Sequence, residues 1–138
     1  MNSVDVWKII QKMKTITDIT DIVWQNIFYW APIKSSDIDK DIYIIINEIT
    51  EIPDFSQRNT RLEFRYLGNN DSVKKTSLKN ICWIVTDSLS FDSCNWVQDF
   101  DWFKVSSFIE WNSAWPFRDD KDRNLLIKDY IVTFFKDD

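Results

Sequence analysis

Acidic residues in the first half of the chain have a spacing that could bind a divalent cation. They occupy positions 1, 3, 5 and 12 of a calcium-binding loop of the EF-hand type: Asp37, Asp39, Asp41 and Glu48. Position 6 of such a loop is glycine, whereas this chain has Ile42, and the residues that follow are β-branched and typical of a strand. We therefore interpret the segment as a solvated acidic loop that precedes a strand.

A second acidic pattern could support metal-dependent hydrolysis. Asp54 and Glu63, followed by Arg65, are similar to the motif of restriction-type nucleases, in which two carboxylates hold Mg²⁺ and a lysine helps to activate water. Arginine stands in the lysine position here, and a guanidinium stays protonated and cannot accept a proton. The alternation of Arg61, Glu63 and Arg65 with apolar residues is explained more simply by a strand with one charged face.

The composition excludes several classes of site. Because the chain has no histidine, zinc sites and Ser-His or Cys-His nucleophile systems are excluded. Its single glycine, Gly68, cannot form a phosphate-binding glycine loop. A net charge of −5 argues against a surface that grips nucleic acid through its phosphates. Cys82 and Cys94 are too few for a disulfide framework, and Cys82 falls on an apolar helix face, which favours a buried thiol.

The segment 111–123 combines tryptophan with arginine, two residues that often anchor protein interfaces. Residues 112–124 are predicted to form a loop between two strands. The candidate interface residues in and beside this loop are Trp111, Trp115, Phe117 and Arg118. The loop could bind a partner, or its rings could fold back on the sheet as a small second core. Eight tryptophans in 138 residues favour burial of some of them only on association, and hence an oligomer.

The hydrophobic patterns predict an α+β fold in a single domain that spans residues 1–138. The expected element order is α-(α)-β-β-β-α-β-β, in which the second helix is an ambiguous segment at 15–25. The predicted bounds are helix 3–14, strands 27–29, 41–49 and 61–66, helix 72–90, and strands 102–111 and 125–135. We expect one open, mainly antiparallel sheet of about four to five strands, packed with the N-terminal and mid-chain helices.

Two of the predicted strands have different patterns and therefore different surroundings. Residues 41–49 are apolar on both faces at their centre, which is typical of an inner strand covered on both sides. Residues 61–66 alternate strictly between apolar and charged side chains, which predicts one buried and one accessible face. The charged face is a candidate contact surface: Arg61, Glu63 and Arg65.

The order of these segments resembles the tail-completion or tail-terminator (neck) proteins of long-tailed bacteriophages and of related phage-derived, tail-like particles. The resemblance covers nearly the whole chain. It includes an N-terminal helix followed by Ile22-Val23, a short strand at 26–29 closed by Ala31-Pro32, the strands at 43–49 and 60–66, and the helix at 72–90. Where members of that family usually have a glycine-containing turn before the short strand, this chain has Trp24-Gln25.

The resemblance implies a structural protein without enzymatic activity, cofactor, metal or catalytic residues. Such proteins form a homo-oligomeric ring, commonly a hexamer, at the head-proximal end of the tail tube. The implied partners are the tail tube protein and the head–tail connector, with DNA passing through the lumen without specific binding and no membrane involved. The implied location is the tail or neck of the virion, and the host cytoplasm during assembly.

Two other classes of function stay open at the level of sequence. An acidic protein-binding module, such as a DNA-mimic inhibitor or an immunity-type protein that caps a toxin, suits the small size, acidity and aromatic content. Its acidic residues, however, are interspersed with lysine and arginine and do not form long stripes. A metal-dependent hydrolase using Asp54 and Glu63 is the third possibility.

Overall fold

A computed structural model describes residues 3–29, 42–53, 57–68, 73–89, 103–118 and 124–136. Within these ranges, three helices and five strands follow one another in the order α1-α2-β1-β2-β3-α3-β4-β5. The predicted α+β class and element order are confirmed, and the ambiguous segment at 15–25 contains a helix. The helices are α1 (Ser3–Met13), α2 (Thr17–Val23) and α3 (Lys75–Leu89). The strands are β1 (Ile27–Tyr29), β2 (Ile42–Pro53), β3 (Gln57–Gly68), β4 (Phe103–Arg118) and β5 (Asn124–Lys136).

The five strands form one open sheet in the order β1-β2-β3-β5-β4. Strand β1 runs parallel to β2, and the remaining neighbours are antiparallel. The predicted inner position of the apolar strand is confirmed, because β2 lies between β1 and β3 and is buried from both faces at residues 42–46. The sheet is therefore mixed but mainly antiparallel, as expected.

All three helices contribute to one main core over one face of the sheet. Each helix buries an apolar stripe, as the helical spacing predicts: Val6, Ile9, Ile10 and Met13 from α1, Ile19 and Val23 from α2, and Leu78, Ile81, Val85 and Leu89 from α3. These stripes pack with the alternate residues of β2, β3 and β5, including Ile44, Phe64 and Tyr130. The opposite face of the sheet carries a smaller apolar cluster: Tyr43, Ile45, Leu67 and Leu125.

The prediction of a loop at residues 112–124 is wrong over its first half, because β4 continues to Arg118. The polar residues and Pro116 of this segment are typical of a loop. As an edge strand, however, β4 pairs only with β5 among the described strands, and proline is tolerated where no ladder hydrogen bond is required. Pro116 lies in one of three register shifts, between Ala114 and Phe117. At these shifts, residues that do not fit a regular ladder are left out of the strand pairing.

The single glycine has a steric role at the end of β3. A Cβ atom added to Gly68 would lie 2.6 Å from the Cβ atom of Val73, so any side chain there would collide with the segment that leads into α3. The glycine has no positive φ. Glycine is therefore required because the backbone at position 68 closely approaches the side chain of Val73, which a turn pattern alone does not indicate.

Candidate functional site

Strand β3 has two chemically different faces, as its alternation predicts. Leu62, Phe64 and Tyr66 are fully buried in the main core. The intervening side chains lie on the face opposite the helices and are partly exposed: Arg61, Glu63 and Arg65. The structure thus places three of the predicted contact residues together on one strand, where successive same-face residues are neighbours.

A fourth charged residue, Asp129 of β5, completes this surface. Its Oδ2 atom accepts hydrogen bonds from Arg61 Nε at 2.9 Å and from Arg61 Nη2 at 2.5 Å. The residue is only 7% exposed, and its Oδ1 atom is buried without a hydrogen-bond partner among the described residues. A buried aspartate costs free energy unless it is paired, so Arg61 stabilises Asp129 within the strand.

We call Arg61, Glu63, Arg65 and Asp129 the charged cluster. Glu63 lies directly opposite Asp129 in the β3–β5 register, and two like charges in such a pair repel each other. The arginines offset this repulsion: Arg61 binds Asp129, and Arg65 Nε donates to Glu63 Oε1. The cluster therefore carries two positive and two negative charges. Its carboxylates are already engaged, which suits a contact surface better than acid–base chemistry.

Partly exposed isoleucines flank the charged cluster on the same face of the sheet. Ile127 is paired with Arg65, and Ile131 is paired with Arg61. The cluster and its flanks thus combine paired charges with accessible apolar surface. Such a mixture is typical of a protein–protein contact, where apolar area contributes affinity and charges set the register.

The other predicted interface residues lie on the edge strand β4. Phe117 pairs with Leu125 and Arg118 with Asn124, whereas Trp111 and Trp115 fall within register shifts of the ladder. Strand β5 separates β4 from β3, so these residues are about 10 Å across the sheet from Arg61, Glu63 and Arg65. The sequence therefore identified two groups of residues that the fold places on two strands that are not neighbours.

The two metal hypotheses involve residues that lie partly outside the described ranges. Asp37, Asp39 and Asp41 of the proposed calcium loop and Asp54 of the proposed hydrolase motif lie there, whereas Glu48 lies within β2. In the part of the chain that the structure describes, no group of three or more His, Cys, Asp or Glu side chains could hold a metal ion.

A buried hydroxyl network lies between the sheet and α3, and the sequence did not indicate it. The Tyr130 hydroxyl lies 3.1 Å from that of Tyr66 and 2.6 Å from Oγ1 of Thr86. Burial raises the pKa of both tyrosines above the ordinary value near 10. The Cys82 sulfur is 4.0 Å from the Tyr130 hydroxyl, and burial raises the pKa of the thiol. Cys82 is a free, half-buried thiol, close to what its helix position predicts.

Sequence reasoning also missed residues that the structure makes conspicuous. Asp129 lies within the predicted last strand, and an acidic residue in an apolar strand generally needs a buried partner, which is the signal in the sequence that points to it. Three tryptophans of the helical layer are exposed, namely Trp7, Trp24 and Trp83. Trp24 is the one described non-glycine residue with a positive φ, at 55°.

No protein-family model matches the chain, and no curated protein matches its sequence. None of the helices in the described ranges is long and apolar enough to cross a membrane.

Proposed function

We propose that this protein is a structural subunit of a ring at the head-proximal end of a phage tail tube or of a related tail-like particle. The ring stops polymerisation of the tube and joins the tail to the head connector. The observation that carries the proposal is the element order α1-α2-β1-β2-β3-α3-β4-β5 on a single open sheet. The resemblance to tail-terminator proteins rests on the same order.

The two edges of the sheet support assembly into a ring. Among the described strands, one edge is the three-residue β1 and the other is the 16-residue β4. A contact between copies that joins these two unlike edges is head-to-tail, and head-to-tail contacts form a ring where the rotation between copies closes. The register shifts of β4 disfavour unlimited edge-to-edge pairing, which a closed assembly must avoid.

The charged cluster and β4 are the proposed contact surfaces for subunits, the tube protein and the connector. On the sheet face, the charges of Arg61, Glu63 and Arg65 balance with that of Asp129, so they contribute little net attraction to a partner. Their role in the contact is to set the register in which the partner binds. On the edge strand, Trp111, Trp115, Phe117 and Arg118 contribute the aromatic and arginine residues that are enriched at interfaces. The net charge of −5 keeps DNA from adhering as it passes through the lumen.

Light scattering coupled to size-exclusion chromatography tests the proposal. The full chain, alone or mixed with a tail tube protein of the same particle, should elute as a ring-sized oligomer of defined mass. When added to polymerising tube protein, it should cap the tubes and shorten them in electron micrographs. Bovine serum albumin at the same concentration is the control for crowding and should leave tube length unchanged.

A chain that stays monomeric and binds neither tube nor connector protein would overturn the proposal. In that case, tight one-to-one binding to a basic enzyme would support the acidic binding module instead. A rise in melting temperature with millimolar Mg²⁺, Mn²⁺ or Ca²⁺ would support the hydrolase, since a ligand that binds the native state stabilises it.

A further inference from the structure

The two arginines of the charged cluster differ in how fully their guanidinium groups are bound within the chain. Arg61 donates from both Nε and Nη2 to the buried carboxylate of Asp129. Arg65 donates only from Nε, to Glu63 Oε1, and its two Nη groups have no partner among the described residues. The Arg65 side chain is 41% exposed. Glu63 therefore holds one end of the guanidinium and leaves the other end available to a partner.

The available end of Arg65 fits a carboxylate. A guanidinium presents its N–H groups in a rigid plane, and this geometry matches the oxygens of carboxylates. Because Glu63 already balances the charge of Arg65, recognition depends on these directed hydrogen bonds more than on net charge. Ile127, which pairs with Arg65 in the β3–β5 register, is partly exposed and adds apolar surface beside it. The partner should thus present carboxylates next to an apolar side chain.

Helix α2 of the same chain presents this combination. Among the carboxylates whose side chains the structure describes, only Asp18 and Asp21 have no hydrogen bond or ion pair within the chain. Both are exposed, and their three-residue interval makes them neighbours on the helix surface. Trp24 follows Asp21 after a further three residues and is 54% exposed. The helix therefore offers two unpaired carboxylates beside an accessible indole ring.

Arg65 and the two aspartates lie on opposite sides of the subunit. Helix α2 packs on one face of the sheet through Ile19 and Val23, and its aspartates lie on the exposed side of the helix. Arg65 lies on the other face of the sheet, away from the helices. Two surfaces that face in opposite directions cannot both meet the same neighbour across a two-fold axis. A contact between them is therefore head-to-tail, the kind that forms a ring where the rotation between copies closes.

We propose that Arg65 of one subunit binds Asp18 and Asp21 of the next copy in the ring. This inference rests on the proposed ring function. The Nη groups of Arg65 donate hydrogen bonds to the two carboxylates, and Trp24 of the next copy packs beside Ile127. Arg61, which is bound to Asp129, holds the sheet together beneath this contact. The neighbouring arginines thus have different roles, one in the fold and one in assembly.

Charge reversal in the full chain tests this pairing by light scattering coupled to size-exclusion chromatography, alone or with tube protein. The variants R65E and D18K/D21K each place like charges at every contact. Each alone should elute as a monomer or dissociate at a concentration at least tenfold above that of the wild type. An equal mixture of the two should recover the oligomer of an even-numbered ring, because alternating subunits again join opposite charges. The variant that carries all three substitutions should recover it for any number of subunits.

The controls separate loss of assembly from loss of folding and from a different contact. Arg65→Met adds no negative charge beside Glu63, so it should keep the far-ultraviolet circular dichroism of the wild type while it weakens assembly. Lys75→Glu is the matched charge reversal on the helical side. Lys74 and Lys75 are exposed at the start of α3 and are the other cations that α2 of another copy could meet. Lys75→Glu should leave the oligomer intact.

Four outcomes would contradict the proposal in distinguishable ways. An oligomer that survives Arg65→Met and D18K/D21K would overturn this contact and leave the proposed ring standing. Loss of assembly that neither the mixture nor the three-substitution variant restores would overturn the pairing of Arg65 with the aspartates. Dissociation by Lys75→Glu with no effect of Arg65→Met would assign the partner of α2 to α3 instead. A wild-type chain that is monomeric and also fails to bind tube protein would overturn the proposed function, and with it this contact.

Discussion

Arg61 donates two hydrogen bonds to a single carboxylate oxygen of Asp129, from Nε at 2.9 Å and from Nη2 at 2.5 Å. The two residues are 68 positions apart in the chain and lie on adjacent strands. Because the arginine is 34% exposed and the aspartate side chain only 9%, the pair extends from the sheet interior to its accessible face. The contact thus couples the stability of the β3–β5 pair to the surface that we propose for partner binding.

Arg61→Met should destabilise the protein by about 2–3 kcal/mol. The substitution keeps most of the apolar stem but leaves the buried carboxylate of Asp129 without its positive partner. Urea unfolding at neutral pH measures the free energy of unfolding. Arg65→Met is the matched control. Its pair with Glu63 is more exposed, so it should lose less than about 1 kcal/mol. Equal losses in the two variants would contradict the assigned role of Arg61.

Removal of both partners should cost less than removal of one. In the double variant Arg61→Met/Asp129→Leu no charge is left unpaired, and apolar replacements of buried ion pairs are often neutral. We expect its free energy of unfolding to lie within about 1 kcal/mol of the wild-type value, with a favourable coupling in the double-mutant cycle. Additive losses would show that Asp129 does not depend on Arg61.

The buried tyrosines should make the protein less stable in alkaline solution. The pKa of Tyr66 and of Tyr130 is raised in the folded state, so the folded protein holds these protons above pH 10 while the unfolded chain releases them. Their contribution to stability is therefore complete below about pH 10 and is lost as the pH rises further, at up to about 1.4 kcal/mol per pH unit for each tyrosine.

Tyr130→Phe provides the measurement for this pH dependence. The variant has one titrating tyrosine fewer, so its free energy of unfolding should fall less steeply above pH 10 than that of the wild type. At neutral pH it should lose about 1–2 kcal/mol, because the hydroxyls of Tyr66 and Thr86 lose a buried partner. Urea titrations at several pH values determine both quantities, and parallel pH profiles for the two proteins would contradict the prediction.

Trp24→Gly should stabilise the isolated subunit by about 1 kcal/mol. Glycine adopts the φ of 55° without strain, although its greater freedom in the unfolded chain offsets part of the relief. Trp24→Ala keeps a Cβ atom and should give little or no gain, which separates backbone strain from loss of the indole ring. Thermal unfolding at a concentration where both variants are monomeric measures the difference. Identical melting temperatures for the two variants would show that strain is not the cause.

Gly68→Ala should destabilise the protein by about 1–3 kcal/mol. The added Cβ atom would lie 2.6 Å from the Cβ atom of Val73, and both backbone segments would have to move apart. Val73→Ala in the same chain should rescue only partly, since it removes the contacts to Cγ1 and Cγ2 at 3.1 Å but keeps the closest one. Val73→Gly provides the missing space. Urea unfolding compares the variants, and a neutral Gly68→Ala would contradict the steric argument.

Local periodicity was sufficient to predict the main elements of this protein. The helical spacing of Val6, Ile9 and Met13 and the alternation from Arg61 to Tyr66 are properties of consecutive residues, so the sequence determined which side of each element is buried. It also determined that β2 is an inner strand, because apolar residues on both faces can be buried only between two layers.

Only the tertiary structure decided what depends on contacts between distant residues. Strand order placed β5 between β3 and β4, which brought Asp129 to Arg61 and kept the tryptophan-containing edge strand one strand away from Arg61, Glu63 and Arg65. Edge position allowed Pro116 to lie within a strand, and the approach of Val73 made glycine necessary at position 68. A residue pattern indicates how each segment buries its own surface. The ion pair, the edge position of β4 and the need for glycine depend instead on which segments contact one another. Those contacts are set by the packing of the whole chain.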